Sequence, residues 1–231
     1  MKFASSPLRS ALGVCAIALG TLLLAGCKYT YSTINGTPIV TGSGKIATET
    51  RTGAAFSKIA IEGSADIDAS IGAGTSVAVT CDDNLLPMIE TKVEGDTLHI
   101  RSTGSYRTNT GLKVKIVSPT LDGVSVSGVA SIHASGLAAK MFALTVSGAG
   151  HTTLEGKTDQ LDVQISGTGD LQAGSLTARD VKISVSGAGN AVVDATQSLD
   201  AAVSGVGNVQ YCGQPPQVRQ NISGVGTVKP L

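Results

Sequence analysis

A chain of 231 residues with a formal net charge of zero, 3% aromatic residues and no tryptophan lacks the basic balance of a nucleic-acid binder and the stacking platforms common in base and sugar sites. The length allows one large or two small domains with a real core. Four cysteines permit a disulfide in an oxidising compartment without requiring one.

In chain order, Lys2 and Arg9 flank a polar start, and Ala11 to Ala25 is almost wholly apolar. This run falls short of the roughly 20 residues a membrane-spanning helix needs. Residues 1–26 therefore read as a signal peptide. Its end, Leu24-Ala25-Gly26-Cys27, resembles the lipobox of bacterial lipoproteins. That resemblance implies cleavage before Cys27, lipid on its thiol, and a stable membrane anchor carrying more than one acyl chain. Residue 28 is lysine, not aspartate, which points the lipoprotein to the outer membrane.

Residues 27–55 are rich in Thr, Ser and Gly, with turn signals at Asn35-Gly36 and Gly42-Ser43-Gly44. They read as a flexible tether, with a strand near Lys45 to Arg51. Phe56, Ile59, Ile61, Gly63 and Asp66-Ile67 repeat the layout of Leu121, Val124, Val126, Gly128 and Ser131-Ile132, as an early degenerate coil would. Between these copies, Val77 to Val79, Val93 to Ile100 through Glu94-Gly95-Asp96, and Leu112 to Ile116 alternate as antiparallel strands with a hairpin. Asp82-Asp83-Asn84 before Leu85 to Ile89 predicts one short capped helix. Cys81 follows Val77 and Val79 at inward parity and spacing alone supplies no disulfide geometry, so Cys81 and Cys212 are expected as separate thiols.

From Ser127 onward one phrase recurs six times: Ser127-Gly128-Val129-Ala130, Ser147-Gly148-Ala149-Gly150, Ser166-Gly167-Thr168-Gly169, Ser186-Gly187-Ala188-Gly189, Ser204-Gly205-Val206-Gly207 and Ser223-Gly224-Val225-Gly226. The serines lie 20, 19, 20, 18 and 19 residues apart. A period near twenty with alternating apolar residues predicts an all-β parallel β-helix, a solenoid of about six to seven coils of 18–20 residues spanning 56–231. Inward positions precede each serine by one and three residues and follow it by five and seven. Each coil then has two strands joined at a glycine corner, where a side chain lacks room or φ is positive. Gly128, Gly148, Gly150, Gly167, Gly169, Gly187, Gly189, Gly205, Gly207, Gly224 and Gly226 are structural on this reading. Four residues before the serines, Asp162, Lys182, Asp200 and Arg219 put alternating charges on an outer face.

The Ser-Gly-x-Gly-[Asn/Asp] phrases, the Phe56 to Ile67 opening, the Leu112 to Pro119 strand and the lipobox together resemble the autotransporter-adhesin "head GIN" domain family of bacterial envelope proteins, over roughly Phe56 to Val228. The resemblance implies a β-helical domain on secreted or lipid-anchored proteins and carries no catalytic or binding residues with it. Ala130 and His151-Thr152 depart from the repeat.

The polar residues four after each serine, from Ser131 and His151 through Asp170, Asn190 and Asn208 to Thr227, would stack in one column. His151 beside Asp170 invites a metal or acid/base reading, but one histidine and one carboxylate fall short of the three or four ligands a metal site uses. Asn and Asp are also favoured beside a glycine corner because they bond the local backbone. No glycine phrase is followed by Lys-Ser/Thr or a helix, so phosphate-loop binding is excluded. Asp159, Asp162, Asp180, Asp194 and Asp200 fall on different faces, which argues against a polysaccharide-cleaving centre. The expectation is a non-catalytic envelope lipoprotein with no cofactor, no metal and no nucleic-acid partner. It would be held in the outer membrane by lipid at Cys27 and bind an envelope or extracellular protein or glycan. A purely structural scaffold and a polysaccharide-active β-helix enzyme are the competing classes.

Overall fold

Alternating apolar residues with a period of two, interrupted every coil by Ser-Gly, leave the chain no way to bury its inner face except against its own next turn. A computed structural model describes residues 31–34 and 37–231; the signal sequence and Cys27 lie outside the described residues. The strands before the repeat are β1 (Tyr31–Ile34), β2 (Thr37–Thr41), β3 (Ile46–Arg51), β4 (Lys58–Glu62), β5 (Ser64–Ile71), β6 (Ser76–Asp82), β7 (Ile89–Glu94), β8 (Thr97–Ser102), β9 (Tyr106–Arg107) and β10 (Lys113–Ser118). The repeat supplies β11 (Gly123–Val126), β12 (Val129–Val146), β13 (Ala149–Ile165), β14 (Thr168–Val185), β15 (Ala191–Val203), β16 (Val206–Cys212), β17 (Gln217–Ile222) and β18 (Val225–Pro230).

Two parallel ladders run the length of the solenoid. In the first, Ile61, Val126, Val146, Ile165, Val185, Val203 and Ile222 pair in succession. All of these except Ile222 of the last coil are buried. In the second, Ile67, Ile132, Thr152, Leu171, Ala191, Val209 and Val228 form the matching column, every member of it buried. About five complete turns run without interruption from Gly123 to Gln217, and β4 with β5 adds the early coil in the predicted register. The chain leaves that coil after Ile71, and the excursion returns to lay β8 parallel on β4 and β10 parallel on β5. The pair β8 and β10 is thus a further tier whose corner is the segment Ser102–Leu112. Antiparallel β7 on β8, and β6 and β3 beyond β10, close this end, with Gly95 at φ 64° turning the predicted β7–β8 hairpin.

Three expectations change. Each coil has a third side, where Leu137, Gly156 and Leu176 pair in succession, as do Ala139, Thr158 and Ala178. The ladder register shifts just before this side, between Ala134 and Leu137, Thr153 and Glu155, and Ala173 and Thr177. Coils of unequal length absorb their difference there, which is why no fixed spacing marked it. The predicted capped helix is a single 3-10 turn, Leu86–Met88, with no side-chain cap and Pro87 in its first turn. Asp82, Asp83 and Asn84 bond the segment Thr41–Lys45 instead. That segment belongs to the stretch read as tether: the strand expected near Lys45 to Arg51 is present as β3 and pairs with β6, while the unexpected β2 pairs with β1 and β9. The alternation in Ile46–Arg51 is short and mostly exposed, so periodicity alone did not reveal its neighbours.

Candidate binding site

The corner of each coil is built on backbone, not side chains. The carbonyl of the first glycine points along the solenoid axis and accepts from the next coil: Ala149 N–H donates to Gly128 O at 2.9 Å, Thr168 N–H to Gly148 O at 2.9 Å, Ala188 N–H to Gly167 O at 3.0 Å and Val206 N–H to Gly187 O at 2.9 Å. The first glycine of each coil therefore sits directly on the carbonyl of the one before. A Cβ on Gly128, Gly148, Gly167, Gly187, Gly205 or Gly224 would overlap that oxygen, far inside the 3.0 Å that real Cβ atoms keep. The second column repeats the arrangement: a Cβ on Gly150, Gly189, Gly207 or Gly226 would overlap a carbonyl oxygen of the preceding coil, and one on Gly169 would come to 2.9 Å from Gly150 O. Only Gly150 among these has a positive φ, 157°. Close approach, not left-handed backbone, is what demands glycine here. Serines staple the same stack, Ser127 Oγ donating to Ile61 O at 3.2 Å and Ser147 Oγ to Val126 O at 3.1 Å.

Because the corner has no side chains, it is a trough. A groove of about 970 Å³ follows it along the solenoid axis from Ala149 to Thr227. The glycines 150, 169, 189, 207 and 226 form its floor. One wall is largely apolar, with Val206 and Val225 58% and 73% exposed and Ala149 and Ala188 between coils. The other is the polar column His151, Asp170, Asn190, Asn208 and Thr227.

That column is a ladder of hydrogen bonds running one way. The Asn190 backbone N–H and Nδ2 both donate to Asp170 Oδ1 at 3.1 Å, Asn208 Nδ2 donates to Asn190 Oδ1 at 3.2 Å, and Thr227 Oγ1 to Asn208 Oδ1 at 2.8 Å. Each amide keeps one N–H, and Asp170 one oxygen, for a ligand. His151 pairs in register with Asp170, but its Nε2 lies 3.4 Å from Thr153 Oγ1 and it closes no ion pair within 4.0 Å with the carboxylate, one oxygen of which accepts from Asn190. The acid/base pair is not assembled. Among the described residues, no group of three His, Cys, Asp or Glu side chains is placed to hold a metal ion.

The outer charges Asp162, Lys182, Asp200 and Arg219 are ladder neighbours as predicted, yet none of them closes an ion pair within 4.0 Å. Asp180 instead accepts from Ser198 Oγ at 2.7 Å and Arg179 Nε at 2.9 Å. Cys81 and Cys212 are both free thiols, and burial pushes the Cys81 thiol up. Sequence reasoning missed the segment Ser102–Leu112 and the buried carboxylate of Asp82 that holds it. The clue was the density of hydroxyl and glycine residues in Ser102 to Gly111, where the Ser-Gly-x-Gly phrase is absent.

Over residues 55–215 the chain matches the family described as "Putative auto-transporter adhesin, head GIN domain". No curated protein matches the sequence. Among solved structures it is similar to a putative adhesin from Bacteroides fragilis, at 28% identity with a TM-score of 0.69, covering 83% of this chain and 99% of that one. It is also similar to a putative lipid binding protein from Parabacteroides distasonis, at 23% identity, TM-score 0.48, and coverage of 83% and 98%. A putative adhesin from Parabacteroides merdae aligns at 22% identity, TM-score 0.49, with coverage of 83% and 98%. The length of the family match, spanning the early coil, the excursion and all but the end of the repeat, makes this chain a member of the auto-transporter adhesin head GIN domain family.

Proposed function

We propose that the protein is a non-catalytic, adhesin-like lipoprotein of the bacterial outer membrane, anchored through Cys27, whose solenoid holds an extended ligand along the glycine-floored groove. The groove carries this reading: it crosses the corners of successive coils and pairs an exposed apolar wall with a polar one. Family membership and the likeness to the Bacteroides fragilis protein support an envelope setting. Of the groups that could do chemistry, Asp170, Asp180 and the serines Ser127, Ser147, Ser166 and Ser186 are engaged in hydrogen bonds that stack one coil on the next.

Two results are expected. Cys27→Ala abolishes incorporation of labelled fatty acid and moves the protein to the soluble fraction of a membrane fractionation, since lipid is the proposed anchor; unchanged membrane association refutes the anchor. Val206→Glu puts a carboxylate on the apolar wall at a 58% exposed position, so it should weaken binding to a glycan array by about tenfold, a loss of ~1.4 kcal/mol, at an unchanged melting temperature. An array profile identical to that of the parent chain would remove the groove from the function.

A further inference from the structure

The edge that carries the groove continues past its first glycine corner. One tier beyond Gly63, the segment Ser102–Leu112 takes the place of the Ser-Gly-x-Gly corner, and between it and Ile61–Ala65 lies a pocket of about 520 Å³. Arg101, Ser102, Ser105, Arg107 and Thr108 line it on the side of this segment, and Glu62 lines it on the facing side, where its Oε1 lies 3.5 Å from His99 Nδ1.

The segment is held firmly. The Val40 and Gly42 N–H groups donate to Ser105 O at 3.1 Å and Arg107 O at 2.8 Å. Thr103 Oγ1 donates to Met88 O at 3.2 Å, and the Thr108 and Thr110 hydroxyls donate to the buried Asp82 carboxylate. These bonds complete a cap for the solenoid, and none of them uses the Arg107 guanidinium. Arg107 is exposed and, among the described residues, has no carboxylate within 4.0 Å, unlike Arg101, whose Nε donates to Glu90 Oε2 at 2.9 Å. An uncommitted guanidinium on a pinned segment is a preorganised fork for a carboxylate or phosphate. The hydroxyls around it suit a polyhydroxylated ligand. A peptide would look for an open strand edge or apolar side-chain pockets, whereas the carbonyls flanking Tyr106 are already taken by β2.

We propose that this pocket binds an anionic sugar residue of an acidic polysaccharide, its charge on Arg107 and its hydroxyls on Ser102 and Ser105. The proposal rests on the adhesin-like reading and adds the ligand class to it. The test is calorimetric titration of the full chain in detergent with oligogalacturonate, a neutral oligomaltoside of equal length, and poly-glutamate. Oligogalacturonate should bind and the neutral sugar should not. Arg107→Ala should weaken that binding by about tenfold or more and Arg107→Glu should abolish it, with melting temperatures unchanged because the side chain is exposed. Lys157→Ala, an equal loss of charge on the third side of the solenoid, should leave the affinity alone. Absent binding, equal binding of the oligomaltoside or of poly-glutamate, or an equal loss in Lys157→Ala would each overturn the proposal. Loss of array binding in Val206→Glu together with no oligogalacturonate binding would sink the pocket and keep the groove; no effect of either variant on any glycan would sink both.

Discussion

Gly187→Ala should destabilise the protein by about 3 kcal/mol, while Ser184→Val three residues away changes stability by less than ~0.5 kcal/mol. The added methyl at 187 would overlap Gly167 O and crowd Ser166 O at 2.6 Å. Both oxygens are backbone, and Gly167 O accepts from Ala188 N–H, so neither can swing aside as a side chain would. Relief requires prising two coils apart, which breaks Ala188 N–H to Gly167 O and the neighbouring bonds that hold the stack. Ser184 points outward from the first ladder between Gln164 and Ala202, where a β-branched residue is at home. The effect should also be graded along the axis. Gly224→Ala makes the same overlap with Gly205 O, but β17 is exposed along its whole length and the last coil can lift at less cost. Thermal or urea unfolding of the three variants decides the matter. Equal destabilisation by Gly187→Ala and Ser184→Val would mean that the corner register is wrong.

The same corner shows what was legible in the sequence. Ser-Gly-x-Gly at a fixed period specifies which residues stack, because the inward positions recur at constant distance from the serine, and the columns Val126 to Ile222 and Ile132 to Val228 follow from that alone. Even the early coil could be aligned, since Phe56 to Ile67 keeps the spacing after losing the serine. What periodicity does not carry is any contact made once. The third side varies in length from coil to coil and has no recurring phrase. The groove was invisible because a trough is defined by side chains that are missing; the polar column of one wall was readable, but not that it rises beside a bare floor with an apolar wall opposite. Asp82 looked like a helix cap because Asp-Asp-Asn before an apolar run is the usual local use of those residues. Its partners Gly44, Thr108 and Thr110 lie 38, 26 and 28 residues away, and no local rule pairs them.

Asp82→Ala should lower stability by about 3 kcal/mol, the cost expected when a buried carboxylate that holds several donors is removed, and a domain of this size then melts roughly 6–12 °C lower. Asp82 is 1% exposed. Burial alone would push its carboxyl up, but donation by Thr108 Oγ1, Gly44 N–H and Thr110 Oγ1 outweighs that and holds it below the usual carboxylate range. Gly44 N–H lies 2.6 Å and Thr110 Oγ1 2.9 Å from the carboxylate. Gly42 leaves it room, since a Cβ there would overlap the carboxylate itself. One charge thus ties the start of β3 and the Ser102–Leu112 segment to the end of β6. Because the folded carboxyl titrates below its unfolded value of about 3.9, its contribution is complete above that pH and drains away as pH falls through the folded pKa. The stability gap between the parent chain and Asp82→Ala should therefore be constant near neutrality and narrow below about pH 4. Amide exchange should report where the loss falls: residues 103–112 lose protection in Asp82→Ala, while the central coils, whose bonds do not involve this carboxylate, keep theirs. A gap that stays constant down to pH 2, or protection lost evenly along the solenoid, would mean that Asp82 supports the core at large and does not act as the latch of the segment that forms the pocket.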